Sequence, residues 1–169
     1  GEVTTIAGNG IPGNRDGDPT TSMVNFPFGI ASDDEGNVLL ADSWNSQVRR
    51  ISFDESRTTL YAFNGNYGCV DGSAMFDAQI QTPFGIALAP SGQVYVAQTG
   101  GNRVCKIAQG NVDTIMMNGD GWFKNAHANN KAYAAPAGVV VNKNGDVFMI
   151  DSVHHKIRVL RFSPILDST

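Results

Sequence analysis

The chain has 169 residues, of which 41% are apolar and 17% charged, so it can build a packed core and is not expected to be disordered. Its net charge of -4 disfavours nucleic acid or an anionic membrane as the partner, because both need clustered Lys and Arg. The uninterrupted apolar stretches are only a few residues long, far below the length of a membrane span.

About twelve strand-like runs follow in chain order, four in each of three copies of one pattern. Alternating and β-branched residues predict short extended segments, and Gly and Pro separate them. The runs lie at 3–6, 27–30, 38–42 and 48–51 in the first copy, at 57–61, 83–86, 94–98 and 104–107 in the second, and at 112–115, 136–139, 147–151 and 157–160 in the third. The strands of a blade are counted below from its proline, so that 27–30, 83–86 and 136–139 are first strands and 3–6, 57–61 and 112–115 are outer, fourth strands. The equivalent prolines Pro27, Pro83 and Pro136 are 56 and then 53 residues apart.

This repeat predicts the fold class. Four-stranded sheets that recur every ~40 to 55 residues are typical of β-propeller blades, and no convincing helical period is present. We therefore predict an all-β chain that forms a single domain over residues 1–169, with three blade units at about 3–51, 57–107 and 111–162.

The repeated residues resemble the NHL repeat. The first copy shows the family pattern in Pro27-Phe28-Gly29-Ile30-Ala31, in the run from Gly36 to Asp42, and in Arg50 before Ile51. Departures include Gln98, where the family has Asp, and a looser start to the third copy. The resemblance covers nearly all of residues 3–162 and implies a propeller, usually of six blades, of which this chain would supply half.

Several charged residues have structural explanations. Asp42 and Asp151 end the second strand of their blades, where a carboxylate can accept N–H groups from a polar loop. Arginines in or beside the third strands are expected to pair with neighbouring blades or to lie on the surface; they are Arg49, Arg50, Arg103 and Arg158.

Metal sites have weak support. Asn14, Asp16 and Asp18 have the spacing of a calcium loop, but the Gly and the bidentate Glu of such a loop are missing. Some NHL-like propellers are lyases that hold zinc with histidines from several blades; the histidines here are His127, His154 and His155, and the adjacent pair would point apart if extended. We expect no catalytic residue, no metal site and no cofactor.

The two cysteines, Cys69 and Cys105, fit no metal spacing. They are two free thiols or one disulfide, and we favour free thiols because a chain of this size needs no staple.

One end of the blades carries the candidate binding site. With strands alternating in direction, the first-to-second connections are tight turns at one end, whereas the fourth-to-first connections, at 8–25, 64–81 and 118–134, lie at the other. Loops of that length are uncommon without a function. The candidate binding residues at this end are Arg15, Trp44, Asn45, Tyr67, Asn102, Trp122, Phe123 and His154.

Aromatic residues with a few polar neighbours are typical of recognition surfaces. We therefore predict a non-enzymatic module that binds a protein or peptide through this end. The alternative is a propeller enzyme, a lyase or hydrolase with or without a metal, that uses a pocket on the axis.

The strand order leaves the array incomplete at both ends. Run 3–6 has no blade of its own, and the third blade lacks its outer strand, so apolar faces and strand edges need a cover. A homodimer would close a six-bladed ring if run 3–6 of each copy completed the third blade of the other. The alternative cover is the remainder of a longer chain; we favour the homodimer.

Overall fold

Strands account for nearly all the regular structure of this computed structural model, which describes residues 1–117 and 135–162. The strands are β1 (Pro27–Ser32), β2 (Val38–Asp42), β3 (Gln47–Ser52), β4 (Arg57–Ala62), β5 (Gly72–Ser73), β6 (Pro83–Leu88), β7 (Val94–Gln98), β8 (Arg103–Ala108), β9 (Asn111–Met117), β10 (Pro136–Val141), β11 (Val147–Asp151) and β12 (Lys156–Leu160). The one helical element of the described residues is the 3-10 turn Ser43–Asn45. These residues therefore contain no helix that is long and apolar enough to cross a membrane.

Three antiparallel sheets follow one another along the chain. The first has the order β1-β2-β3-β4, the second β6-β7-β8-β9 with the short β5 beside β9, and the third β10-β11-β12. Successive strands pair through short turns, as the alternating sequence pattern predicts. This confirms the prediction of an all-β chain built from propeller-type sheets.

Two short segments differ from the sequence interpretation. Strand β5 is not among the predicted runs, whereas the predicted run 3–6 forms no strand and its residues are exposed. In the first sheet β4 takes the outer position beside β3, and run 3–6 pairs with no strand of the described residues.

The first strands of the three sheets lie side by side at the inner edge of the array. Strand β6 contacts β1 on one side and β10 on the other. A methyl group on Gly29 would overlap the Phe84 carbonyl oxygen, and one on Gly85 would lie 2.8 Å from the Gly138 Cα. These two positions are glycine because the neighbouring backbone leaves no room for a side chain.

Apolar cores fill the two spaces between the sheets. Leu39 and Val48 of the first sheet belong to the same buried cluster as Val94 and Val96 of the second. On the opposite face of the second sheet, Tyr95 and other residues form a cluster with the third sheet. Since each buried aliphatic side chain contributes about 1.5 to 3 kcal/mol, these two layers hold the sheets together.

Candidate functional site

The connections at the two ends of the sheets differ in length. At one end, tight turns join β1 to β2, β6 to β7 and β10 to β11, each closed by a backbone hydrogen bond, such as that from the Gly36 N–H to the Asp33 carbonyl. At the other end lie the β2–β3, β7–β8 and β11–β12 connections. The long segments 7–26 and 63–82 enter and leave the sheets at this end, and between these points they run along the outer strands β4 and β9. We call this second end the long-loop face.

Four aromatic side chains form a continuous row at the long-loop face, which we call the aromatic row: Trp44, Phe26, Phe28 and Phe84. Trp44 stacks on Phe26 with ring centroids 4.1 Å apart, and Phe26 lies 6.3 Å from Phe28. Phe28 then stacks on Phe84 of the second sheet at 3.9 Å. Trp44 is 63% exposed, and Phe26 and Phe28 are also at least half exposed. The row therefore spans two sheets and is open to solvent.

The backbone holds Phe26 in an unusual conformation. Its φ of 51° is in the left-handed region, which costs a non-glycine residue about 1 to 3 kcal/mol, and the next residue is Pro27. The preceding residue is held at both of its backbone groups: the Asn25 N–H donates to Asp42 Oδ1 at 2.7 Å, and the Trp44 N–H donates to the Asn25 carbonyl at 3.1 Å. These bonds fix Phe26 beside Trp44 before any partner arrives.

A buried carboxylate, Asp42, supports this end of the first sheet. Its Oδ2 accepts a hydrogen bond from Asn45 Nδ2 at 2.7 Å and another from Arg49 Nη1 at 3.3 Å. Burial raises the pKa of the Asp42 carboxyl, while the hydrogen bonds and the Arg49 charge act in the opposite direction. The carboxylate thus accepts hydrogen bonds from surrounding loops, as its place at the strand end suggests.

The arginines of the first and third sheets pair inside their own sheets. Arg49 bridges Asp42 and Asp16, and Arg158 Nη2 lies 2.8 Å from Asp151 Oδ2. For Arg49 and Arg158, the expectation of pairing with neighbouring blades or lying on the surface is therefore wrong. The reason is that each carboxylate at the end of a second strand lies within reach of the arginine on the adjacent third strand.

The second sheet has a different set of residues at the same place. Gln98 and Cys105 stand where the first sheet has Asp42 and Arg49, and Gln98 Nε2 donates to the sulfur of Cys69 at 3.1 Å. Both cysteines are free thiols, Cys69 exposed and Cys105 buried. The acid and the arginine are thus replaced together, so neither leaves an unpaired buried charge.

Three of the predicted polar residues hold loops in place. Asn45 Nδ2 also donates to the Gly13 carbonyl at 2.7 Å, and Asn102 Oδ1 accepts the Ala135 N–H at 2.7 Å. His154 Nδ1 lies 2.8 Å from an oxygen of Asp151. These contacts are those of structural residues, although the His154 side chain is partly exposed.

Arg15 and Tyr67 lie outside the aromatic row. Arg15 is exposed, and its Nε donates to the Thr21 carbonyl at 2.8 Å. Tyr67 is exposed on the long segment of the second sheet. The predicted residues Trp122 and Phe123 lie outside the described residues. Of the predicted residues that the structure describes, Trp44 alone is part of the aromatic row.

Sequence reasoning missed Phe26, Phe28 and Phe84. The available signal was the recurrence of Phe directly after Pro27 and Pro83, with a further Phe before the first proline. The sequence interpretation used Phe28 and Phe84 only as part of the repeat pattern and gave Phe26 no role. Their joint exposure becomes visible only when β1 and β6 are placed side by side.

No three His, Cys, Asp or Glu side chains converge on a possible metal position within residues 1–117 and 135–162. The potential calcium residue Asp16 is instead paired with Arg49, and Asp18 accepts hydrogen bonds from Thr20 and Thr21. Those hydrogen bonds lower the pKa of Asp18. The long segment is thus organised by its own side chains.

Comparison with solved structures defines the class of protein. The chain superposes with a TM-score of 0.65 and 17% identity on a structural genomics protein of unknown function from Bacteroides thetaiotaomicron, covering 79% of this chain and 34% of that one. It also matches virginiamycin B lyase from Staphylococcus aureus (TM-score 0.51, 16% identity, 82% and 42% covered) and a gluconolactonase from Xanthomonas campestris (0.54, 12%, 76% and 35%). At these identities the likeness concerns the fold alone, which is that of propeller blades.

Sequence relatives specify the type of blade. The chain is 29% identical over 94 residues to NHL repeat-containing protein 2 of Bos taurus, covering 54% of this chain and 13% of that protein. It is 27% identical over 180 residues to Protein SUPPRESSOR OF QUENCHING 1, chloroplastic, of Arabidopsis thaliana, covering 99% of this chain and 17% of that protein. No family model matches. The chain spans less than a fifth of these curated relatives, and the matches confirm its resemblance to NHL-type propellers.

Proposed function

We propose that this chain is a non-enzymatic interaction module that holds a protein or peptide partner on its long-loop face. The observation that carries the proposal is the aromatic row, in which Trp44, Phe26 and Phe28 are exposed together. Contiguous exposed aromatic groups mark interaction sites more often than scattered apolar residues do.

The row also has the physical properties of a binding site. Trp and other large aromatic side chains contribute disproportionately to binding energy when a partner covers them. Stacking between neighbouring rings and the hydrogen bonds around Asn25 restrict the side chains in the free protein. A partner therefore has less conformational entropy to remove on binding.

The first test is a capture experiment followed by a variant series. The intact chain is used as bait, bound proteins are identified by mass spectrometry, and the Kd of the recovered partner is measured for Trp44→Ala. We expect a loss of about 1 to 4 kcal/mol, which corresponds to a Kd raised about 5- to 1,000-fold. Trp122→Ala is measured in parallel because Trp122 belongs to the same predicted site.

The matched control is Phe53→Ala. Phe53 is also more than half exposed, but it lies in the β3–β4 turn at the opposite end of the sheet. Its Kd should be unchanged. Equal affinity of the wild-type chain and both tryptophan variants would rule out this face.

Stoichiometric zinc or calcium in the purified chain would instead favour the enzyme that the sequence leaves as an alternative.

A further inference from the structure

The third sheet has an apolar face that nothing in the described structure covers. Strand register places Val139 and Met149 on the face buried against the second sheet. The other face carries the exposed residues Val140, Ile150 and Ile157, of which Ile157 is 77% exposed. An aliphatic surface of this kind needs a partner.

The first two sheets show what covers the equivalent face. The positions of Ile150 and Ile157 correspond to Ala41 and Val48 in the first sheet, and both of these are fully buried. Val48 packs in the core shared with the next sheet of the chain. The natural cover for this type of face is therefore the inner side of another sheet of the same kind.

The first sheet presents part of such a side at its inner strand β1, because β2 and β3 are already buried on that side. Ile30 is 63% exposed, whereas Ile86, its counterpart in the second sheet, is 6% exposed and packs in the core between the first two sheets. Pro27 is likewise exposed, although the equivalent Pro83 and Pro136 are buried. The chain thus carries both halves of one contact, each open.

The hydroxyl group after the second strand of each sheet also lacks its usual partner in the third sheet. Ser43 Oγ donates to the Pro83 carbonyl of the next sheet, and Thr99 Oγ1 donates to the Pro136 carbonyl at 2.7 Å. The equivalent Ser152, which has no further sheet beside it within the described residues, donates to the Ala135 carbonyl at 2.6 Å. Ser152 thus occupies the position of the donors that link one sheet to the next.

The third sheet also lacks, among the described residues, the outer strand that the other two sheets have. The described third sheet has three strands, whereas β4 and β9 provide a fourth to the first and second sheets. The exposed run Val3-Thr4-Thr5-Ile6 resembles Thr58-Thr59-Leu60 of β4 and Val112-Asp113-Thr114-Ile115 of β9. Its sequence therefore suits the place beside β12.

From these observations we infer that the open face of the third sheet binds the first sheet of a second copy of this chain. Ser152 then donates to the Pro27 carbonyl of that copy, and residues 3–6 of that copy pair with β12. A twofold arrangement makes the same contact twice and covers both of the open surfaces described above, because each copy contributes one of each kind.

One side chain has to move for this contact to form. The space beside Gly29 and Gly85 is occupied by the backbone of the next inner strand, but beside Gly138 it is filled by the Ile150 side chain, 2.8 Å from where a methyl group would lie. The first and second sheets have Ala41 and Ala97 at this position. Ile150 turns aside when the second copy docks.

The test is sedimentation equilibrium of the full chain between 1 and 100 µM, concentrations that resolve a Kd of about that range. We expect twice the 18.0 kDa mass of one chain.

Ile157→Lys and Ile30→Lys each place a charge in the apolar contact and should raise the dimer Kd about 100-fold. Phe76→Lys is the matched control, because Phe76 is equally exposed but lies in the long segment of the second sheet, and it should leave the dimer unchanged.

The Ile150→Ala variant distinguishes this specific docking geometry from nonspecific hydrophobic association. Restoring the alanine of the other sheets should lower the dimer Kd about tenfold, whereas loss of apolar area from a nonspecific patch would raise it. A wild-type monomer throughout the concentration range, or a mass that grows beyond two chains, would overturn the proposal. So would a Phe76→Lys variant that dissociates as readily as Ile157→Lys. Circular dichroism of each variant checks that the sheets are intact.

Discussion

At the residue scale, the buried polar positions are matched in sets. The first sheet uses Asp42 with Arg49, while the second uses Gln98 with Cys105 at the same positions. Removing one member alone would leave a buried charge unpaired, at a cost of about 3 to 5 kcal/mol. The sequence shows that the two positions change together, but only the structure shows that they are neighbours.

The two thiols should differ sharply in reactivity. Cys69 is exposed, whereas Cys105 is buried and burial raises the pKa of its thiol from 9.0 to about 12. Because the thiolate is the reactive form, a thiol reagent at pH 8 should label one cysteine per native chain and two after unfolding. Mass spectrometry of labelled peptides should find the label on Cys69, and rapid labelling of native Cys105 would contradict the described packing.

Titration of Cys105 also gives stability a pH dependence. The Cys105 thiol loses its proton more readily in the unfolded chain than in the folded one. Below pH 9 it stays protonated in both states, so it does not make the free energy of unfolding depend on pH there. Between pH 9 and about 12 the free energy of unfolding should fall as the unfolded thiol ionises. Cys105→Ser, which does not titrate in this range, should show a smaller fall in urea unfolding than the wild-type chain.

At the element scale, strand existence and order follow from the sequence. Alternating side chains, Gly turns and the repeated Pro-x-Gly step predict every strand of the three sheets except β5. The predicted run 3–6 remains unpaired because strand formation depends on a neighbouring edge as well as on residue type. Local pattern thus predicts which segments can extend, and topology decides which of them pair.

The inner strands give a direct test of this packing. A methyl group on Gly85 meets the backbone of β10, whereas on Gly138 it meets the end of the exposed Ile150 side chain. We expect Gly85→Ala to lower the free energy of unfolding by about 1 to 3 kcal/mol. At protein concentrations below the dimer Kd, Gly138→Ala should change it by less than about 1 kcal/mol, since Ile150 can move and alanine restricts the unfolded chain. Equal losses in urea unfolding would contradict the close approach of β6 and β10.

At the scale of the whole molecule, the binding face was only partly predictable. Connection lengths along the sequence indicate which end has long loops, and that reasoning selected Trp44. The rest of the aromatic row depends on the packing of β1 against β6 and on the left-handed backbone at Phe26. The packing is not encoded in local spacing, because it arises from contacts between different sheets. The left-handed conformation recurs before each repeat proline, at Thr82 and Ala135, but the residue types there do not reveal it.

The most direct test of the proposed function is hydrogen–deuterium exchange of the chain with and without its captured partner. The account predicts slower exchange at residues 25–28 and 43–46, which form the backbone of the aromatic row in the first sheet. Exchange in the tight turns at 33–37 and 89–93, at the opposite end of the sheets, should be unchanged. Protection of those turns, with residues 25–28 and 43–46 unaffected, would contradict binding at the long-loop face.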